Sequence, residues 1–295
     1  MVAVLAFHAP VPAPARQWIE IRNVDLHLND HITLRVRSVH GEVLRTAVDH
    51  PATLDEPGSF RIRIAAGTVA LTGDDIAALL NTVILAYPHA PLTGVGVRIT
   101  GTQLIVSGVL HKLGDHPIVI TGVPSLTDDG RIRLHVLRTH VVGVNGEALL
   151  HTLGLHLDNA VDLTGARGAT IKGDDLFLNP LPYLPHPAIE GRLSSVRIED
   201  GVLVQSFETT AEDSVFYAAM HKDSTAGNFL HFRGGELRFG RMLMRDADLR
   251  IEGGDAHTPF DLNLPHYFRQ LIAGTSHTRA DSGVTVHMPN YNTLH

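Results

Sequence analysis

The sequence predicts an α+β protein in which a highly curved antiparallel β-sheet wraps around one or two long apolar helices. Three observations carry that expectation. Apolar and polar residues alternate through much of the chain, as in half-buried strands. Short turns with Gly, and often Asp, separate the alternating stretches, as tight antiparallel hairpins require. One stretch, "TGDDIAALLNTVILAYPHAP", replaces the two-residue period with a helical one, and its apolar residues spread beyond a narrow stripe.

Composition sets the bounds. Of 295 residues, 44% are hydrophobic and 19% charged, a globular balance built mainly on branched aliphatics. Formal net charge is −7 and no Lys/Arg run exceeds two residues, so nucleic acid is not an expected partner. Protonating all 20 histidines would add twenty charges and take −7 to +13. The absence of cysteine excludes disulfides and thiolate chemistry. No apolar run reaches the ~18 residues of a membrane-spanning helix.

In chain order, residues 1–16, "MVAVLAFHAPVPAPAR", read as a flexible tail or as the remnant of a signal or anchor. The remnant would place the protein in the cell envelope or periplasm; a plain tail is compatible with the cytoplasm. Residues 17–295 read as a single domain with a C-terminal extension from about residue 210. "WIEIRNVDLHL" alternates from Trp18 and then shifts phase, "LND" is a polar turn, and "HITLRVRSV" sets Ile32, Leu34 and Val36 against Thr33, Arg35 and Arg37. The main helix is expected over Asp74–Tyr87, ~21 Å long at 1.5 Å per residue. Thr72 or Asp74 caps it, Asp74 and Asp75 suit its first turn, and Pro88 stops it. Ile76, Leu79, Leu80, Val83, Ile84 and Tyr87 fall on its apolar face. Five hairpins are expected in "VRITGTQLIVSGVL", "SLTDDGRIRLHVL", "ATIKGDDLFLN", "VRIEDGVLVQSF" and "HFRGGELRFGRM". A second helix is expected in "NGEALLHTLGLHL", with Leu149, Leu150 and Leu153 on one side, and a third in "AEDSVFYAAMHK". "LPHYFRQLIAG" suits a short fourth, with Pro265 in its first turn and Gly274 past its end. "FLNPLPYLPHPAIEG" holds four prolines and reads as an extended crossing segment.

Catalytic motifs are absent: there is no G-x-S-x-G, P-loop, H-E-x-x-H or G-x-G-x-x-G helix turn. His27 and His31 are four apart but flank a turn, so no histidine pair has the i, i+4 spacing on a helix of many zinc sites, and nothing selects Ser194, Ser195 or Ser214 as a nucleophile. Neither a metal nor a catalytic cofactor is expected.

Glycines such as Gly94, Gly108 and Gly122 permit strands to bend around the helix. Helix and sheet would then enclose an elongated apolar space, where burying an acyl chain yields ~0.8 kcal/mol per CH₂. The expected lipid-binding residues are the six helix positions above, Leu149, Leu150 and Leu153, and the inward strand positions Val106 and Ile120.

This order of strand, greasy helix, "DDGRIRL" and "EDGVLV" hairpins and "NPLPYLP" crossing resembles the tubular lipid-binding (TULIP-like) superfamily, and more narrowly its bacterial LmeA-like branch of envelope proteins. The similarity runs from about Phe60 to Phe207. It implies a long helix wrapped by a curved sheet, a tunnel holding phospholipid or fatty acid, and transient membrane contact. Lipid binding or transfer is the leading expectation. A lipid esterase or phospholipase of the LmeA type is one alternative, and a protein-interaction scaffold with a solid core is another.

Overall fold

The structure, a computed structural model, describes residues 16–112, 114–141, 157–208, 227–255 and 258–294. The phase shift after Trp18 has a local cause. Strand β1 (Gln17–His27) kinks at Asn23, whose φ is +48°. Before the kink Ile19 and Ile21 point inward; after it Val24 and Leu26 do. The side chain of Asn29 then accepts the N–H groups of His31 and Ile32, closing the polar turn into β2 (Thr33–Arg45).

A large mixed sheet is built on that hairpin. It takes in β4 (Phe60–Leu71), β12 (Leu193–Glu199), β13 (Val202–Phe207), β14 (Phe229–Arg233), β17 (Asp248–Gly253), β19 (Thr275–Thr278) and β20 (Val284–Met288). Their order is β12-β13-β4-β2-β1-β14-β17-β20-β19, and short strands β11 (Ala188–Glu190) and β18 (Phe260–Asn263) add parallel pairs on β4 and β1. The C-terminal segment therefore continues the same sheet as the N-terminal hairpin.

A second, six-stranded sheet is antiparallel throughout. It runs β5 (Leu92–Thr100), β6 (Gln103–His111), β7 (Asp115–Leu126), β8 (Ile132–Val141), then β10 (Asp175–Leu178) and β9 (Ala169–Lys172). A third sheet joins β3 (Ala52–Thr53), β15 (Glu236–Phe239) and β16 (Met242–Arg245).

Four of the five expected hairpins form. At the β12–β13 turn, Asp200 and Gly201 have φ of +52° and +76°, the pair of left-handed residues that a tight two-residue turn demands. The fifth differs. Gly234-Gly235 does not turn β14 back on itself but passes the chain from the large sheet to the third one, and the hairpin turn lies one step later, at Gly240-Arg241. The proline segment does cross between sheets, from β10 to β11. It is not wholly extended, for Leu181–Tyr183 form a 3₁₀ turn and β11 joins the β4 ladder.

The expectation of a sheet wrapped around long apolar helices does not hold. Over the described residues the protein is mostly β, and the longest helical run among them has 12 residues, α1 (Gly73–Leu79) continued by a π-wound turn, Leu80–Ile84. The start is as the sequence indicates. Thr72 caps the helix, its hydroxyl accepting Asp75 N–H at 3.2 Å while the Asp75 carboxylate accepts Thr72 N–H at 2.8 Å. The end comes three residues early. Leu85 N–H bonds Leu80 C=O, an i→i+5 closure, and Tyr87 N–H bonds Leu85 C=O instead of continuing the helix. Thr82-Val83-Ile84 are β-branched, and the residue before Pro88 is driven out of the α region, so the last predicted turn lacks propensity. Two further helices among the described residues are shorter still, α2 (Leu157–Ala160) and α3 (Tyr267–Ala273). In α3 the first helical residue is Tyr267, so Pro265 precedes the helix, and Gly274 follows it as expected. The second and third helices expected from the sequence lie outside the described residues, as do Leu149, Leu150 and Leu153.

Candidate functional site: an apolar cavity between helix and sheets

The helix sits where the large sheet hands the chain to the six-stranded one. Asn81 fixes it there. Its Nδ2 donates to Ala77 C=O (2.8 Å) and Val95 C=O (2.7 Å), and its Oδ1 accepts Val95 N–H (3.0 Å). Val95 lies in an irregular stretch of β5, between Thr93 and Gly96, where the ladder to β6 is interrupted, so the side chain substitutes for missing backbone bonds.

Beneath this joint lies a cavity of about 90 Å³. Ile76, Leu79, Leu80 and Ile84 form its helical wall, all buried. Val106 on β6 and Ile120 on β7 are direct cross-strand partners and line it side by side. Six of the expected binding residues thus converge on one space. Val83 and Tyr87 do not reach it. Val83 packs at the margin of the core, and the Tyr87 ring packs over the backbone of Gly165. The Tyr87 hydroxyl is buried without a hydrogen-bond partner among the described residues, and its pKa is raised by burial and by the nearby Asp162 carboxylate.

The opposite wall was not singled out from the sequence. Ile132, Leu134 and Val136 come from β8, Ala169 and Ile171 from β9, Leu176 and Leu178 from β10, and Leu157 and Val161 from α2 and the residue just after it. Leu134, Leu176 and Ile171 form one cross-strand row. The signal for them was the same two-residue alternation that marks Val106 and Ile120. β13 closes the space with Leu203 and Gln205, and the buried Gln205 is the one polar residue of the described lining.

A smaller space of about 30 Å³ shares Leu71, Leu79, Pro180 and Gln205 with the first and is bordered by Asp75. Asp75 is held by Thr72 and by Arg35, whose Nε donates at 3.1 Å. Arg35 also donates to Asp25 at 3.1 Å; burial nevertheless raises the Asp25 pKa, against the pull of that guanidinium. The charged groups are thus bonded to one another at the cavity's edge, and the described lining of the larger space is hydrocarbon apart from Gln205.

Among the described residues no group of three or more His, Asp or Glu is placed to hold a metal ion. Ser194 is exposed, the Ser195 hydroxyl accepts from Arg197 (3.3 Å), and Ser214 lies outside the described residues. Compared with known proteins, the chain matches no family model, no curated protein and no solved structure.

Proposed function

We propose that the protein binds an aliphatic chain, that of a fatty acid or phospholipid, in the cavity between α1 and the two large sheets. The observation that carries this reading is an aliphatic-lined space of about 90 Å³ at the place where helix and strands converge. Protein interiors are close-packed, and an unfilled cavity costs about 24 cal/mol per Å³, or about 2 kcal/mol for this one. A dry cavity of ~150 Å³ lined by similar side chains accommodates benzene, so this space suits a few methylenes. A longer chain is accommodated by outward movement of the helix's π-wound end, whose bonding is the least regular in the wall.

The test uses protein purified from its producing cells. Organic extraction followed by mass spectrometry is expected to release fatty acid or phospholipid, and delipidated protein is expected to bind the fluorescent fatty acid cis-parinaric acid. Ala169→Leu places three extra carbons in the cavity. It is expected to abolish parinaric acid binding while holding or raising thermal stability. Absence of both extractable lipid and probe binding in the wild-type protein would overturn the reading.

A further inference from the structure

We propose that the end of the molecule formed by α3 and the β15–β16 hairpin docks on an anionic lipid bilayer. This surface shares no exposed residue with the cavity lining, and the proposal stands apart from the cavity's ligand.

Two elements distant in the chain meet there. The ring of Phe239, at the end of β15, lies 5.8 Å from that of Tyr267, the first residue of α3. Asp55 ties them together, accepting the Tyr267 hydroxyl and, at 3.1 Å, the N–H of Gly240 in the hairpin turn. Phe239 and Tyr267 are buried by this contact, but the neighbouring side chains point outward. Phe268 is 54% exposed and Ile272 is 72% exposed, four residues apart and so on one face of α3. Met242 and Leu243, just past the hairpin turn, are 37% and 44% exposed. Of the seven large hydrophobic side chains exposed among the described residues, these are four.

Three arginines are interleaved with them. Arg238 stands opposite Leu243 in the hairpin, Arg241 is in the turn, and Arg269 follows Phe268; all are exposed. The nearby carboxylates are engaged elsewhere. Glu236 faces Arg45 and Arg245, Asp55 holds the joint, Glu56 faces His50, and Asp30 faces His266 at the start of α3. Apolar side chains that insert among headgroups, beside guanidiniums that meet phosphates, are the chemistry of a bilayer interface. A second copy fits less well, because two such faces would bring six guanidiniums together. The chain's net charge of −7 opposes long-range attraction to an anionic surface, so the attraction is local and salt-sensitive.

Flotation of the full chain with vesicles tests this. Binding is expected to vesicles of phosphatidylcholine with an equal share of phosphatidylglycerol, and to weaken with salt and with phosphatidylcholine alone. Each arginine near the surface contributes about a fivefold effect, so Arg238→Gln/Arg241→Gln/Arg269→Gln is expected to weaken binding roughly a hundredfold. Phe268→Ser/Ile272→Ser is expected to weaken it at least about tenfold. Both variants should keep the wild-type melting temperature and parinaric acid affinity, because the changed side chains are solvent-exposed. No binding to either vesicle, or undiminished binding by the arginine variant, overturns the proposal. So does concentration-dependent dimerisation that Phe268→Ser/Ile272→Ser abolishes, in the absence of vesicle binding. Vesicle binding without parinaric acid binding leaves this proposal intact and removes the cavity reading alone.

Discussion

Asn81 carries three hydrogen bonds that join α1 to the interrupted edge of β5. In the sequence it is merely a polar residue on a helix, because its partner Val95 becomes visible only once the chain has folded back. Truncating it leaves the Val95 N–H and C=O without their partner, and a buried unsatisfied group costs about 1–3 kcal/mol. Asn81→Ala is therefore expected to lower unfolding free energy by about 2 kcal/mol in urea titrations. Thr82→Ala should change it by no more than about 0.5 kcal/mol, since Thr82 is exposed and only bonds back to Ala78 C=O. Equal losses for the two would show that Asn81 is not the joint. The cavity residues were legible to different degrees for a related reason. Ile76, Leu79, Leu80 and Ile84 follow from helical spacing, and Val106 and Ile120 from alternation. Nothing local says which alternating strands will face that helix, so Leu134, Ile171 and Leu176 were missed despite showing the same period.

At the scale of elements, turn chemistry was the most legible feature and element ends the least. Turn residues dictate their own backbone, so four hairpins form as read, three at Asp-Gly or Gly-Asp and one at Gly101-Thr102. Gly234-Gly235 permits a hairpin equally well, but β14 finds β1 and β17 as partners and the turn becomes a crossing between sheets. The helix was read to Tyr87 because apolar spacing continues that far, whereas backbone bonding stops at Leu85. The bend of β7 rests on one glycine. A Cβ at Gly122 would lie 2.7 Å from the His135 carbonyl oxygen and 2.9 Å from the Leu134 side chain, where the β7–β8 register shifts. Leu134 is itself part of the cavity wall. Gly122→Val must therefore push β8 away or flatten the bulge. It is expected to cost about 1–3 kcal/mol, the range of overpacked cores, and to weaken parinaric acid binding. Unchanged urea midpoint and probe affinity would show that the bend does not depend on this contact.

At the scale of the whole molecule, the mostly β architecture was only partly readable. Which strands share a sheet depends on pairings such as Trp18 with Arg233 and Ala188 with Arg61, far apart in sequence. Four of the histidines, conspicuous in composition, make cross-strand pairs with aspartates among the described residues: His111 with Asp115 (2.6 Å), His135 with Asp175 (2.7 Å), His27 with Asp261 (2.5 Å) and His231 with Asp248 (2.7 Å). The pair with the most buried histidine predicts how acid acts on the fold. His231 lies 2.7 Å from Asp248, an attraction that favours its protonated form, but burial outweighs it and the pKa of His231 falls below the usual 6.5. The unfolded chain then takes up this proton at a higher pH than the folded chain does, so stability is lost as pH drops below about 6.5. Asp248 and Asp261 are also buried, which alone would raise their pKa. Hydrogen bonds from His231 and Arg279 to the one, and from His27 and Asn292 N–H to the other, outweigh burial and lower it. Their contribution is full above about pH 4, the ordinary carboxylate range, and disappears as pH falls through their lower folded values. Melting temperature is therefore expected to decline in two phases, one beginning below about pH 6.5 and a second below about 4. His231→Gln keeps a donor for Asp248 but does not titrate, and should remove the first phase while leaving the second. A variant whose melting curve follows the wild type from pH 7 to 5 would assign the first phase to other histidines and refute the role given to His231.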